Sequence, residues 1–569
     1  MTLSTLPVVP DAVTASGTAA CAEQVTVPDW WRRSADLRKQ AIARAARPDY
    51  EAWLSHVKSA SACTRPVRLA GTILTVEPAG RGEFGASKVA AETYRVLSTA
   101  STADMPDGVI YKPCGNRRES VCPSCSKLYQ HDAYHVVRTG MVGGKGVPEQ
   151  VAYHPAVFPT FTAPGFGEVH TRAVKRHTCA RRKDCDCRPE PCHARRDFSV
   201  CAHGVKQVCF ARHEADDSRL GTPLCLDCYD HDAQVVWNLR AGELWRRTTI
   251  AVNRYMGRLA KQRGIPSVAT ASASGRVRRV PPVRLSFGKA AEMQRRGVAH
   301  FHAIIRLDGI DPDDPTAIVP PPPGIDAQDL VDAIDHAART VGFTTDPHPD
   351  RPSGWPIGWG EQVLTKVITI AGRGEVTDAQ VAAYLAKYAT KSTEVTGHTS
   401  ARLTGDTVDL YADAQGTHVE RLVDACWRLA HARWICPACH QRSTRQPCPI
   451  CEARGRNALT PAPEQSPYRR LQRWAHMLGF GGHFLTKSRR YSITFTLLRS
   501  ARVEFRRTQT AGPEQTEPGE QPTTLVVNFL QFVGSGWHTL ADAMLANTSA
   551  ALAREHAETA RQALVTMAA

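Results

Sequence analysis

The stretch Val298-Ala299-His300-Phe301-His302-Ala303-Ile304-Ile305-Arg306-Leu307 decides how this chain is read. As a strand it sends alternate side chains to opposite faces, so Ala299, Phe301, Ala303, Ile305 and Leu307 share one face while His300 and His302 share the other. One face packs and the other presents two imidazoles. Neutral imidazole ligates divalent cations, and two of them on one strand face can hold an ion with positions left for a phosphate oxygen. Such a pair also suits a half-buried strand without chemistry, so its context has to separate the two readings.

That context lies downstream. Thr377-Asp378-Ala379-Gln380 has capping-box spacing, which predicts a helix running on through Val381, Ala382 and Ala383. Tyr384 and Tyr388 then fall at i and i+4 on one face, about 6 Å apart along the axis, with Lys387 and Lys391 repeating the spacing on a neighbouring stripe. Phenol is a poor nucleophile at neutral pH because its ordinary pKa is about 10. It needs a cation or a metal beside it to attack phosphorus, and the two lysines are candidates for the cation. The combination points to a metal-assisted tyrosine nuclease acting on single-stranded DNA. The expected fold is α+β, an antiparallel sheet whose central strands carry Thr160, Thr162, His300 and His302, with the tyrosine helix packed across it.

Four stretches carry a family resemblance. They are Val157 to Gly167, Glu292 to His302, Tyr384 to Lys391, and Trp474 to Ser492. With them the chain resembles the rolling-circle replication initiators of actinobacterial plasmids, the RepSA-like group, within the HUH endonuclease superfamily that a His-hydrophobic-His motif defines. The resemblance runs from about Cys114 to Arg502. It implies a sheet of about five central strands and a tyrosine that attacks one phosphodiester at a plasmid's double-strand origin. The tyrosine would stay joined to the 5' phosphate and leave a 3' hydroxyl for a host polymerase. Two tyrosines would suit two successive strand transfers, giving a nicking and closing enzyme. The ion would be Mg2+ or Mn2+. Glu292, on the partner strand of a hairpin turning near Arg295 to Gly297, is the expected third ligand, and His170 is a further candidate.

Cysteine usage gives a second signal. The chain has 18 Cys in 569 residues, and its opening Met1-Thr2-Leu3-Ser4-Thr5 starts no positively charged, apolar signal region, so the expectation is a cytoplasmic protein with reduced thiols and zinc rather than disulfides. Cys436, Cys439, Cys448 and Cys451 form two Cys-x2-Cys knuckles suited to tetrahedral Zn2+. Cys225 and Cys228 can close a second site with Cys201 and Cys209, with His203 and His213 competing for the same positions. Cys114, Cys122 and Cys125 make a third cluster, for which His131 is offered as the fourth ligand. Cys179, Cys185, Cys187, Cys192 and His193 form another candidate group, surrounded by Arg181, Arg182, Lys183, Arg188, Arg195 and Arg196. A metal with four protein ligands has no open position, so these clusters are expected to scaffold rather than catalyse.

Charge and layout agree with a nucleic-acid partner. A formal charge of +16 favours attraction to phosphates. The run Lys487 to Phe495 alternates basic and aromatic residues as a single-strand contact would, and as an amphipathic strand would. The expected organisation is a weakly specified extension over 1–110, the first motif with inserted zinc modules over 111–240, and the nuclease core over 241–400. A zinc ribbon and basic segment over 401–505 and a linker with a helical tail over 506–569 complete it. No apolar run is long enough to span a membrane. The chain lacks a Gly-x4-Gly-Lys-Ser/Thr phosphate loop, so unwinding would fall to a host helicase. Two other classes stay open: a single-strand transposase or relaxase of the same superfamily, and a zinc-finger DNA-binding regulator without enzymatic activity.

Overall fold

The computed structural model describes residues 29–568 apart from 85–88, 175–188, 196–198, 272–275, 369–376, 392–395, 397–400, 434–448, 450–458, 461–465 and 512–524. The chain divides into two compact units, Met1–Pro113 with Thr524–Ala569, and Cys114–Thr523. Both are α+β, and their strands pair antiparallel throughout.

In the first unit the two ends of the chain meet, where composition alone suggests a separate extension and tail. Strand Val67–Phe84 pairs on one side with Leu525–Ser535 and on the other with Val89–Ser101, and also pairs with Ile110–Lys112. Trp53, Val57, Val109, Tyr111 and Ala546 form its buried cluster. Asp107 receives hydrogen bonds from Trp53 Nε1 and Arg44 Nη2, which satisfies the polar groups at the edge of that cluster.

The second unit is built on a five-stranded sheet in the order Val363–Val367, Ala156–Phe161, Ala299–Gly309, Val283–Met293, Leu485–Lys487. The histidine strand Ala299–Gly309 is therefore central. Its odd-numbered face, Phe301, Ala303, Ile305 and Leu307, packs with Val235, Leu244 and Val252 of the long helix His231–Gln262 and Leu330 and Ile334 of helix Ala327–Thr340. Each large apolar side chain buried there contributes about 1.5–3 kcal/mol. Local signals place both helices: the Asp230 side chain accepts from Ala233 N, and Asp326 with Asp329 completes a capping box.

The even-numbered face differs from a half-solvated one. Every residue of the histidine strand is buried, because helices Pro123–Val142 and Asp378–Ala389 cover this side with Val137, Met141, Val381, Ala382 and Leu385. Beyond the histidines the face continues to Arg306 and Asp308, both fully buried. Arg306 Nε and Nη2 bond Asp308 at 2.7 and 2.9 Å, His154 Nδ1 adds 2.8 Å and Ser286 Oγ 2.5 Å. Burial alone would raise the Asp308 carboxyl, but these hydrogen bonds and the guanidinium hold it below the usual carboxylate range. Arg306 also donates to the carbonyls of Gly140 and Tyr491, tying the covering helix to the segment after the edge strand. Among the described residues no helix is long and apolar enough to cross a membrane.

Candidate functional site

The helix Asp378–Ala389 begins where its capping box predicts, with Thr377 Oγ1 accepting from Gln380 N at 3.2 Å and Gln380 Oε1 accepting from Thr377 N at 3.1 Å. Burying Val381, Ala382, Leu385, Ala386 and Ala389 turns the tyrosine stripe toward the histidines. Tyr384 Oη lies 3.4 Å from His302 Nε2. The His302 ring is 4.9 Å from that of Tyr384 and stacked 5.4 Å from that of Tyr388, and the two phenols are 4.6 Å apart. Tyr384 remains 38% exposed, so a large substrate can reach it.

The hairpin places Glu292 in this group. Glu292 is the direct cross-strand partner of His300, with the turn at Gln294 to Gly297 closed by Gly297 N to Gln294 O, 2.8 Å, and Gly297 at φ +78°. Opposed residues share a face, and Glu292 Oε2 accepts from His302 Nε2 at 3.0 Å. Thr160, opposite His302 on the first-motif strand, touches its Nδ1 at 3.1 Å. His300 turns its Nδ1 toward Gln294 Nε2, 3.5 Å away. Burial, the neighbouring His302 and Arg296 push the His300 imidazole down to about 3, so it is a neutral, ligand-ready ring at neutral pH. Among the described residues the groups whose ligand atoms all lie within 4.8 Å of one another are cysteine clusters. Glu292, His300 and His302 share one surface without closing to that distance.

Both phenols are held in their protonated form. Burial raises both Tyr384 and Tyr388 above their ordinary value; the hydrogen bond between the two phenols comes next, lowering Tyr384 and raising Tyr388, and the Glu292 charge then raises both. Lys391 Nζ lies 5.4 Å from the Tyr388 ring centre, a weak counterweight. Lys387 is exposed on the helix surface and has no side-chain bond or ring contact among the described residues. Thr162 sits just beyond its strand and donates to Gln362 O at 2.6 Å, beside a cleft of about 740 Å³ that Glu292, Gln294, Arg296, Trp359 and Pro164 help line.

Several positioning residues carry no sequence motif. Arg117 Nη1 donates to the carbonyls of Ala389 and Lys391 at 3.0 and 2.7 Å, closing the C-terminal end of the tyrosine helix, while Arg138 pairs with Asp378 at its start. The basic-aromatic run from Lys487 is a structural corner rather than a base-stacking surface. Tyr491 is fully buried against Gly140 and Gly288 with its hydroxyl on Val137 O, Phe495 stacks on Tyr129, and Lys487 Nζ donates to Ser492 O.

The cysteines sort differently from their sequence grouping. Cys201, His203, Cys225 and Cys228 form one cluster, and His170, Cys192, Cys209 and His213 another; both could hold a metal ion. Cys209 therefore leaves the group expected for it, and His170 belongs to a cysteine cluster instead of the His300 surface. His193 is outside the second cluster, touching Cys192 Sγ at 3.0 Å and Glu168 at 3.0 Å. Cys114, Cys122 and Cys125 do converge, but His131 pairs with His135 instead of joining them. Cys436, Cys439, Cys448 and Cys451 lie outside the described residues, as do Cys179, Cys185 and Cys187.

Comparison with known proteins bears on this arrangement. The family model for RepSA, described as replication initiator protein of pSAM2, matches residues 49–551. A replication initiator protein of Streptomyces ambofaciens is 34% identical over 528 residues, covering 91% of this chain and 94% of its own. No solved structure matches the chain.

Proposed function

This chain belongs to the RepSA family of replication initiator proteins, and on that premise we propose that it nicks and rejoins origin DNA through a covalent tyrosine linkage on an HUH-type sheet. It is a replication initiator, and origin DNA is the implied partner. The observation that carries the mechanism is the approach of Tyr384 Oη to His302 Nε2, 3.4 Å.

His300, His302 and Glu292 would hold the catalytic Mg2+ or Mn2+. The fit rests on two neutral-capable imidazoles and a carboxylate on one face, a mixed nitrogen and oxygen set that such ions accept. When bound, the ion would supply the positive charge that the phenols lack and neutralise the scissile phosphate. The chain's own residues do the rest. Tyr384 or Tyr388 forms a bond from its phenolic oxygen to phosphorus as the bond to the 3' oxygen breaks. The phenolic proton passes to water, and the 3' oxygen leaves as a hydroxyl on taking up a proton from water. Lys391, with Nζ 5.4 Å from the Tyr388 ring centre, would counter charge near that phenol, and the exposed Lys387 would meet the DNA backbone. The second tyrosine serves the closing transfer. Thr160 fixes the His302 ring. A host polymerase would extend the 3' hydroxyl and a host helicase would unwind the duplex.

We further infer that the cysteine clusters, including Cys436, Cys439, Cys448 and Cys451, and Cys114, Cys122 and Cys125, hold structural Zn2+. The nuclease reading is tested by cleavage of a labelled single-stranded origin oligonucleotide with Mn2+. His300→Ala and His302→Ala should each lower cleavage on the order of a hundredfold or more. Undiminished cleavage in both variants would remove the histidine strand from the reaction.

A further inference from the structure

Between Gly165 and Asp230 the described residues form no helix and no strand, only isolated bridges such as Val169 with Pro223, His193 with Cys209 and Val200 with Lys206. The buried apolar side chains there are Cys225 and Tyr229 with Pro189 and Pro223, while His213 is buried to 1% exposure. A segment with so small a core needs another source of order. The two Cys/His clusters supply one, and their order along the chain is informative. The ligands of one stand at 170, 192, 209 and 213 and those of the other at 201, 203, 225 and 228, so successive pairs alternate between clusters.

We propose that this segment is a cross-braced module holding two zinc ions, one on His170, Cys192, Cys209 and His213 and one on Cys201, His203, Cys225 and Cys228. The proposal rests on the reading that the cysteine clusters bind zinc, and adds their number, ligands and interlocking. The geometry matches the metal. Zinc bonds of about 2.0–2.1 Å to nitrogen and about 2.3 Å to sulfur give tetrahedral edges of about 3.3 Å between nitrogens and about 3.6 Å between nitrogen and sulfur. In the first cluster His170 Nδ1 and His213 Nε2 are 3.2 Å apart, Cys192 Sγ is 3.7 Å from His170 Nδ1 and Cys209 Sγ 3.6 Å from His213 Nε2. In the second, His203 Nδ1 is 3.2 Å from Cys228 Sγ and 3.8 Å from Cys225 Sγ.

The surroundings are those of a built site. His213 gives its other nitrogen, Nδ1, to Asp217 Oδ2 at 2.7 Å, an arrangement that orients a ligating imidazole. Asp217 is itself held by Arg219, and His193 bridges Cys192 to Glu168. The loop that follows docks on the nuclease hairpin: Arg295 donates to Ala215 O at 2.6 Å and Asp217 O at 2.9 Å. Gly221 lies so close that an added Cβ would stand 2.7 Å from Arg296 N. The first ion thus braces the turn that joins Glu292 to His300.

The partition is testable on the zinc-loaded full chain by counting zinc in two double variants. Cys192→Ser with Cys209→Ser strikes one site and should lose one ion, whereas Cys192→Ser with Cys201→Ser strikes both and should lose two. The reverse pattern means that ligands are shared between sequence neighbours and overturns the cross-brace. Should the variants misfold, the wild-type protein answers the same question through cysteine alkylation during chelator-driven zinc release. Zinc should slow alkylation roughly tenfold or more, with Cys192 and Cys209 deprotecting together and Cys201, Cys225 and Cys228 on a separate course. Protection that is lost from Cys192 together with Cys201, and from Cys209 together with Cys225, overturns the partition alone. Absence of bound zinc with alkylation indifferent to chelator overturns the zinc reading beneath it.

Discussion

The phenolic oxygen of Tyr384 lies 3.4 Å from Nε2 of His302, two residues 82 positions apart in the chain that the tyrosine helix brings together over the central strand. His302 is gripped from three sides, by Tyr384, by Glu292 at 3.0 Å and by Thr160 at 3.1 Å. Its orientation is therefore set by the protein's own side chains.

Thr160 offers the mildest way to disturb that orientation. Thr160→Val keeps shape and removes the contact to His302 Nδ1. Loss of a partner behind a ligating histidine typically costs 10–100-fold in metal affinity, so half-maximal nicking should need roughly that much more Mn2+. A Mn2+ titration of nicking checks this, and an unchanged midpoint would show that Thr160 only packs.

At the other end of the same strand face, Asp308 compensates the fully buried Arg306. Asp308→Ala leaves that guanidinium unpaired in the core and should destabilise the protein by about 3–5 kcal/mol, read by urea denaturation.

Lys289 is the opposite case. It is buried on the core face with Nζ 3.7 Å from the Phe301 ring centre, and burial pushes its amine down to about 7. No carboxylate faces it among the described residues. Charging the unfolded chain's lysine is free while charging the folded one is costly, so Lys289→Met should raise the urea midpoint at neutral pH. A lower midpoint would show that the ammonium contributes through its aromatic contacts.

Acid sensitivity follows from a histidine pair. His231 Nε2 meets His418 Nδ1 at 3.1 Å, and His418 Nε2 donates to Arg296 O at 2.9 Å. Burial first, then neighbouring positive charge, lowers each to about 4. The folded state therefore binds fewer protons than the unfolded one between about pH 6.5 and 4. Stability is lost as pH falls through that window, at about 1.4 kcal/mol per pH unit for each proton. Melting curves across it should steepen the loss in the wild type and flatten it in His418→Gln.

What the sequence discloses here is what local chemistry encodes. Period-two alternation placed His300 and His302 on one face, the Thr377 capping box started the tyrosine helix, and the Gly297 turn set Glu292 opposite His300. Long-range pairing is less accessible. Strand Leu525–Ser535 joins Val67–Phe84 across most of the chain, and neither strand's own pattern names its partner. The clustered cysteines and histidines interleave along the chain, so sequence proximity puts Cys209 in the wrong cluster and leaves His170 outside both. Arg117, Arg306 and Tyr491 act through burial and carbonyl contacts that leave no motif. The aromatic spacing around Tyr491 suits a stacking surface and a buried corner equally, and only packing separates them.

The central claim is met most directly by identifying the amino acid that becomes joined to DNA. The full chain, incubated with a single-stranded origin oligonucleotide and Mn2+, is digested and the nucleotide-bearing peptide sequenced by mass spectrometry. The account predicts a phosphodiester on Tyr384 or Tyr388, and no adduct in the Tyr384→Phe, Tyr388→Phe double variant. An adduct at a residue outside this helix, or an undiminished yield from the double variant, would contradict it.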